Sequence, residues 1–69
     1  MKRKIIQIIP VGSGQASFNY KFQDESGREF IDSDATKEEL LNFSTTAQSY
    51  QKSYAEEAIE SFFSKAYFG

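Results

Sequence analysis

Residues 54–68 read Tyr54-Ala55-Glu56-Glu57-Ala58-Ile59-Glu60-Ser61-Phe62-Phe63-Ser64-Lys65-Ala66-Tyr67-Phe68. Ala55, Ala58, Ile59, Phe62 and Ala66 recur at helical spacing, while Glu57, Glu60, Ser61 and Ser64 fall on the opposite side. This pattern predicts one amphipathic helix with a core-facing stripe. A helix of this length is marginal alone in water, so the upstream sequence must supply an apolar surface against which the stripe is buried.

That surface is predicted to be a sheet. Lys4 to Val11 is rich in β-branched residues and is followed by Gly12-Ser13-Gly14. Ser17 to Gln23 alternates, with Phe18, Tyr20 and Phe22 on one face and Asn19 and Lys21 on the other. The two segments read as an antiparallel hairpin. With Gly14 left-handed in the turn, Ile8 is expected opposite Phe18 and Ile6 opposite Tyr20. Asp24-Glu25-Ser26-Gly27-Arg28 suits a type I turn closed by a left-handed Gly27, which places Phe22 opposite Phe30. A short third strand, about Arg28 to Asp32, completes a three-stranded meander.

Thr36-Lys37-Glu38-Glu39 has capping-box spacing and predicts a helix start. From there Leu40, Phe43, Ala47, Tyr50 and Tyr54 form an apolar face. At about 100° per residue, that face lies roughly 80° from the one carrying Ala55, Ile59 and Phe62. One straight helix cannot bury both, and Asn42 and Ser44-Thr45-Thr46 are poor helix formers. Two helices, about 37–43 and 47–67, are therefore expected. The predicted fold is α+β in the order β-β-β-α-α: a single domain over residues 1–69, with a three-stranded antiparallel meander packed on one face by the C-terminal helix and preceded by a short one.

Composition narrows the function. The 69 residues contain no Cys and no His, so no disulfide, thiolate or imidazole chemistry is available, and the lack of Cys fits a reducing, cytoplasmic setting. The net charge of −2 is split, with +4 over residues 1–22 and −6 over residues 23–69, yet neither block is dense enough to specify a nucleic-acid partner. Ile5-Ile6-Gln7-Ile8-Ile9 follows Lys2-Arg3-Lys4 in the manner of a signal peptide, but Gln7 interrupts it and Pro10 ends it, so no membrane segment is expected.

Motifs with chemical meaning fail on inspection. Phe30-Ile31-Asp32-Ser33-Asp34-Ala35-Thr36 resembles the Asp-x-Asp-x-Thr nucleophile loop of haloacid dehalogenase-type phosphatases. That chemistry also needs a parallel sheet and further loops supplying Lys, Ser or Thr and more acids, for which this chain has no room. Asp32 and Asp34 instead suit the end of a strand before a helix N-terminus. As a calcium loop the segment has Lys37 at the sixth position and Phe43 at the twelfth, where Gly and Glu are required. Gly12-Ser13-Gly14 lacks the third Gly of a dinucleotide fingerprint and any following Gly-Lys-Ser/Thr. No catalytic residue, metal site, cofactor or small-molecule substrate is expected.

The expected function is a non-catalytic protein-interaction or regulatory module, including homodimerisation through strand one. An edge strand that is apolar on both faces is a template for association. Ile5, Ile9, Val11 and Ile31 are the expected partner-binding residues of the sheet, and Phe63, Tyr67 and Phe68 those of the C-terminal helix. The competing reading is a single-stranded nucleic-acid binder that uses Lys2-Arg3-Lys4 and stacks bases on Phe18, Tyr20 and Phe22.

Overall fold

In the computed structural model, residues 2–12 and 17–68 are described, with side chains as far as Phe62. Three strands, β1 (Arg3–Pro10), β2 (Phe18–Asp24) and β3 (Glu29–Asp32), form one antiparallel sheet in the order β1-β2-β3. Two helices follow, α1 (Lys37–Thr46) and α2 (Ser49–Phe68). The α+β class and the β-β-β-α-α order are those the sequence predicts.

The second hairpin follows its turn chemistry. Gly27 has φ +90°, its N–H donates to the Asp24 carbonyl at 3.0 Å, and the Asp24 N–H donates to the Arg28 carbonyl at 3.0 Å. The Asp24 carboxylate accepts from the Ser26 hydroxyl at 2.7 Å and from the backbone of Ser26 and Arg28. Those donors hold its pKa below the usual carboxylate range, led by the Ser26 hydroxyl. Phe22 then lies opposite Phe30, and the two rings stack with centroids 5.7 Å apart.

The first hairpin departs from expectation. Ile8 pairs with Tyr20 and Pro10 with Phe18, and the register shifts between Ile5 and Gln7, so Ile6 is the extra residue of a β-bulge. The loop is wider than a three-residue turn, with Val11 N–H bonded to the Ser17 carbonyl at 3.0 Å. Gly12 takes a positive φ of 75°, while Gly14, expected to do so, lies outside the described residues. The bulge changes which side chains face inward. Without it Ile6 and Ile8 would share the core face. With it Ile5, opposite Phe22, and Ile8 do so.

The core gathers Ile5, Ile8, Phe18, Tyr20 and Phe22 from one face of the sheet, Leu40 from α1 and Ala55 and Ala58 from α2. Volume is distributed unevenly: the sheet supplies the large rings, and small alanines let α2 approach them closely. Tyr54 adds a ring 5.4 Å from that of Phe18, and Ile59 and Phe62 pack at the margin.

Thr36 and Glu39 form the expected capping box, with Glu39 N–H to Thr36 Oγ1 at 3.1 Å and Thr36 N–H to Glu39 Oε1 at 2.9 Å. α1 runs three residues past its expected end. Ser44, Thr45 and Thr46 stay helical with hydroxyls folded back onto the carbonyls of Leu41, Asn42 and Phe43 at 2.8, 2.7 and 3.3 Å. The chain then breaks at Ala47, and Ser49 has φ 55°. That break separates the two apolar faces as expected, except that Tyr50 is 64% exposed and stands edge-on to Tyr54 instead of joining the core.

Candidate interaction surface

The strand period sends every second residue of the sheet away from the helices. Ile9, Asn19, Lys21, Gln23, Glu29 and Ile31 lie on this outer face, which contributes no residue to the core cluster. Ile31 is 60% exposed and neighbours Lys21, which is joined to Glu29 by a 3.1 Å salt bridge. Ile9, beside Asn19, is half-buried, as is Val11 just beyond the strand.

Of the sheet residues expected to bind a partner, Ile9, Val11 and Ile31 keep some exposure, but Ile5 does not. Ile5 is 5% exposed, because the bulge at Ile6 reverses the facing of everything N-terminal to it. Phe63, Tyr67 and Phe68 belong to the end of α2, where side chains lie outside the described residues.

The free edge of β1 is occupied at Ile8. The Gln51 amide of α2 lies against it, with Ile8 N–H donating to Oε1 at 2.7 Å and Nε2 donating to the Ile8 carbonyl at 3.0 Å. One side chain thereby supplies the donor and acceptor that a neighbouring strand would have supplied. Nearer the N-terminus, Ile5 and Ile6 line a groove of about 460 Å³ with Phe43, Ala47 and Gln51 of the helices. Homodimerisation that pairs strand one at Ile8 would have to displace Gln51. Nothing in the sequence pattern marks this glutamine, which stands among polar residues on a helix.

Arg3 was equally hidden in the sequence, where it reads as one of three solvated N-terminal cations. Its guanidinium sits 3.8 Å from the centroid of the Phe22 ring. It donates to Asp32 Oδ2 at 3.0 Å, to Glu39 Oε2 and Oε1 at 2.8 and 3.3 Å, and to the Asp34 carbonyl at 3.5 Å. β1, β3 and the N-cap of α1 are tied together through it. The phosphatase-like aspartate is thus a structural anchor: Asp32 accepts from the Asp34 N–H and from Arg3, and both depress its pKa, the backbone bond first. For Glu39, partial burial raises the pKa, but hydrogen bonds from Arg3 and the Thr36 backbone outweigh it and the net direction is down. Arg3 itself is raised, chiefly by Glu39.

The stacking platform of a nucleic-acid binder is likewise spent on the interior. Phe18, Tyr20 and Phe22 are 8%, 7% and 0% exposed beneath the helices, and burial raises the Tyr20 pKa. Among the described residues no group of three acidic side chains is placed to hold a metal ion, and no helix is long and apolar enough to cross a membrane. Comparison with protein-family models, with curated proteins and with solved structures found no match.

Proposed function

We propose that this chain is a non-catalytic protein-interaction module whose contact surface is the outer face of its sheet. The observation that carries the reading is Ile31, 60% exposed on a face from which the core takes nothing, with half-buried Ile9 on the same face. Large aliphatic side chains left on a sheet face, among polar neighbours such as Asn19 and Gln23, fit an interface with an apolar centre and a polar rim. The cytoplasm is the compartment that suits a chain without Cys.

The test is affinity capture from host extract with wild type and with Ile9→Lys and Ile31→Lys. Burying such a side chain is worth roughly 1.5–3 kcal/mol, so the double variant is expected to bind a captured partner at least about a hundredfold more weakly while its circular dichroism is unchanged. A partner retained equally by the double variant would refute the face assignment.

A further inference from the structure

Between the start of β2, the β3–α1 connection and α2 lies a cavity of about 180 Å³. Phe18 and Phe62 give it apolar walls, and Tyr20, Ser33, Asp34 and Ser61 bring polar groups to it. Pockets that enclose a whole drug-sized ligand measure about 300–1,000 Å³, so this one fits a group of side-chain size.

Two of the polar groups lack partners. Tyr20 is 7% exposed, yet no hydrogen bond among the described residues involves its hydroxyl. A buried tyrosine hydroxyl ordinarily finds a partner. No fully buried side-chain polar atom among the described residues is left unsatisfied, so the hydroxyl is the part of Tyr20 that keeps contact with the cavity. Burial, and after it the charge of Asp34, raises the Tyr20 pKa, so the phenol stays neutral and its oxygen is free to accept. The Asp34 carboxylate takes part in no salt bridge among the described residues.

These groups set the sign of the charge the cavity accepts. Among the described residues no Lys or Arg lines it. Arg3 reaches the Asp34 carbonyl, but its charge is committed to the carboxylates of Asp32 and Glu39. Backbone N–H groups at the start of α1, which favour anions, are taken: that of Asp34 by Asp32 Oδ1 at 3.0 Å and that of Glu39 by Thr36 Oγ1 at 3.1 Å. We propose that the cavity binds a primary alkylammonium group, carried by a free amine or by a lysine side chain of another polypeptide, with Asp34 as counter-ion and the Tyr20 oxygen accepting one of its N–H groups. An ammonium has three donors and no acceptor, which suits a carboxylate and hydroxyl oxygens, and its carbon chain lies against Phe18 and Phe62. The inference goes beyond the outer-face reading, because Phe18 and Tyr20 belong to the opposite face of the sheet.

Titration of the full chain with n-butylammonium chloride up to about 50 mM at constant ionic strength, followed by NMR, tests this, with n-butanol as the uncharged match in shape. Saturable shifts at Tyr20, Asp34 and Ser61 are expected, with a Kd on the order of 1 mM, and n-butanol is expected to bind at least about tenfold more weakly. Asp34→Asn removes the counter-ion and is expected to weaken butylammonium binding about tenfold or more. Tyr20→Phe removes one oxygen, keeps the ring, and is expected to weaken it about threefold or more. Both variants are expected to retain the circular dichroism of the wild type. Nα-acetyl-lysine N-methylamide, titrated in parallel, separates the two sources. Binding at least as tight as that of butylammonium assigns the cavity to a lysine of another polypeptide, and weaker binding assigns it to a free amine; either order supports the site. An absence of saturable shifts, n-butanol binding as tightly as butylammonium, or a Kd unchanged in either variant overturns the proposal.

Discussion

Replacing Gln51 with Ala removes both hydrogen bonds that close the β1 edge at Ile8. Ile8 is fully buried, so its N–H and C=O are left with little access to water. A made hydrogen bond contributes about 0.5–1.5 kcal/mol net, and a buried group left unsatisfied costs about 1–3 kcal/mol. With some relief from water entering the space of the lost side chain, Gln51→Ala is expected to destabilise by about 2–4 kcal/mol. For 69 residues at roughly 0.05–0.15 kcal/mol each, that is a large part of a total of about 3–10 kcal/mol. Urea denaturation should show a lower midpoint with an unchanged slope, and the Ile8 amide should exchange faster than in wild type. Gln51→Glu sharpens the test. At neutral pH it presents a carboxylate to the Ile8 carbonyl, and on protonation it regains a donor. Its folded-state pKa is thereby raised, so its stability is expected to increase as pH falls from neutrality, opposite to a normal carboxylate. A loss below about 0.5 kcal/mol for Gln51→Ala, with Ile8 exchange unaltered, would refute the latch.

Phe22→Ala is expected to cost about 3–5 kcal/mol and to leave the domain largely unfolded, since Phe22 is fully buried and carries the Arg3 and Phe30 contacts; Tyr50→Ala, at an exposed ring, is expected to be nearly neutral, and equal denaturation midpoints would contradict the core assignment. In acid the Arg3 cluster should fail. Asp32 and Glu39 both have lowered folded pKa values, so their contribution is complete above the unfolded carboxylate value of about 4 and is lost as pH falls through the lower folded values. Arg3→Gln is expected to reduce stability at pH 7 and to flatten the fall in stability below about pH 4; an unchanged acid slope would show that the cluster is not responsible.

What the sequence made legible were features with local causes. The Asp24 to Arg28 turn, the Phe22–Phe30 register and the Thr36 capping box are each decided within a few residues, and the structure has all three. The division into two helices was legible because the 80° offset between apolar faces is a geometric contradiction within one helix. The β1 bulge was not legible, because Ile5, Ile6, Ile8 and Ile9 are interchangeable in hydrophobicity, and only contact with β2 and the helices selects Ile5 and Ile8 for the interior. Arg3 and Gln51 escaped for a related reason. Their partners are 36 and 43 residues away, and a polar side chain on a strand or helix carries no local sign that a distant group will claim it. The edge position of Ile31 was legible because a three-stranded meander in chain order leaves the third strand at an edge.

The separation between Gln51 and Ile8 also bears on the order of assembly during synthesis. All three strands emerge from the ribosome before either helix does, and the two hairpins can close over short loops, whereas the Gln51 contact must wait for a segment 43 residues downstream. For that interval the nascent sheet shows Phe22 and Ile8 on one face and an unguarded backbone at β1, so neighbouring nascent chains on one message present each other with open strand edges. Variants that slow α2 formation, such as Gly substitutions at exposed Glu56 or Glu57, are therefore expected to lower soluble yield in cells by more than their equilibrium stability accounts for.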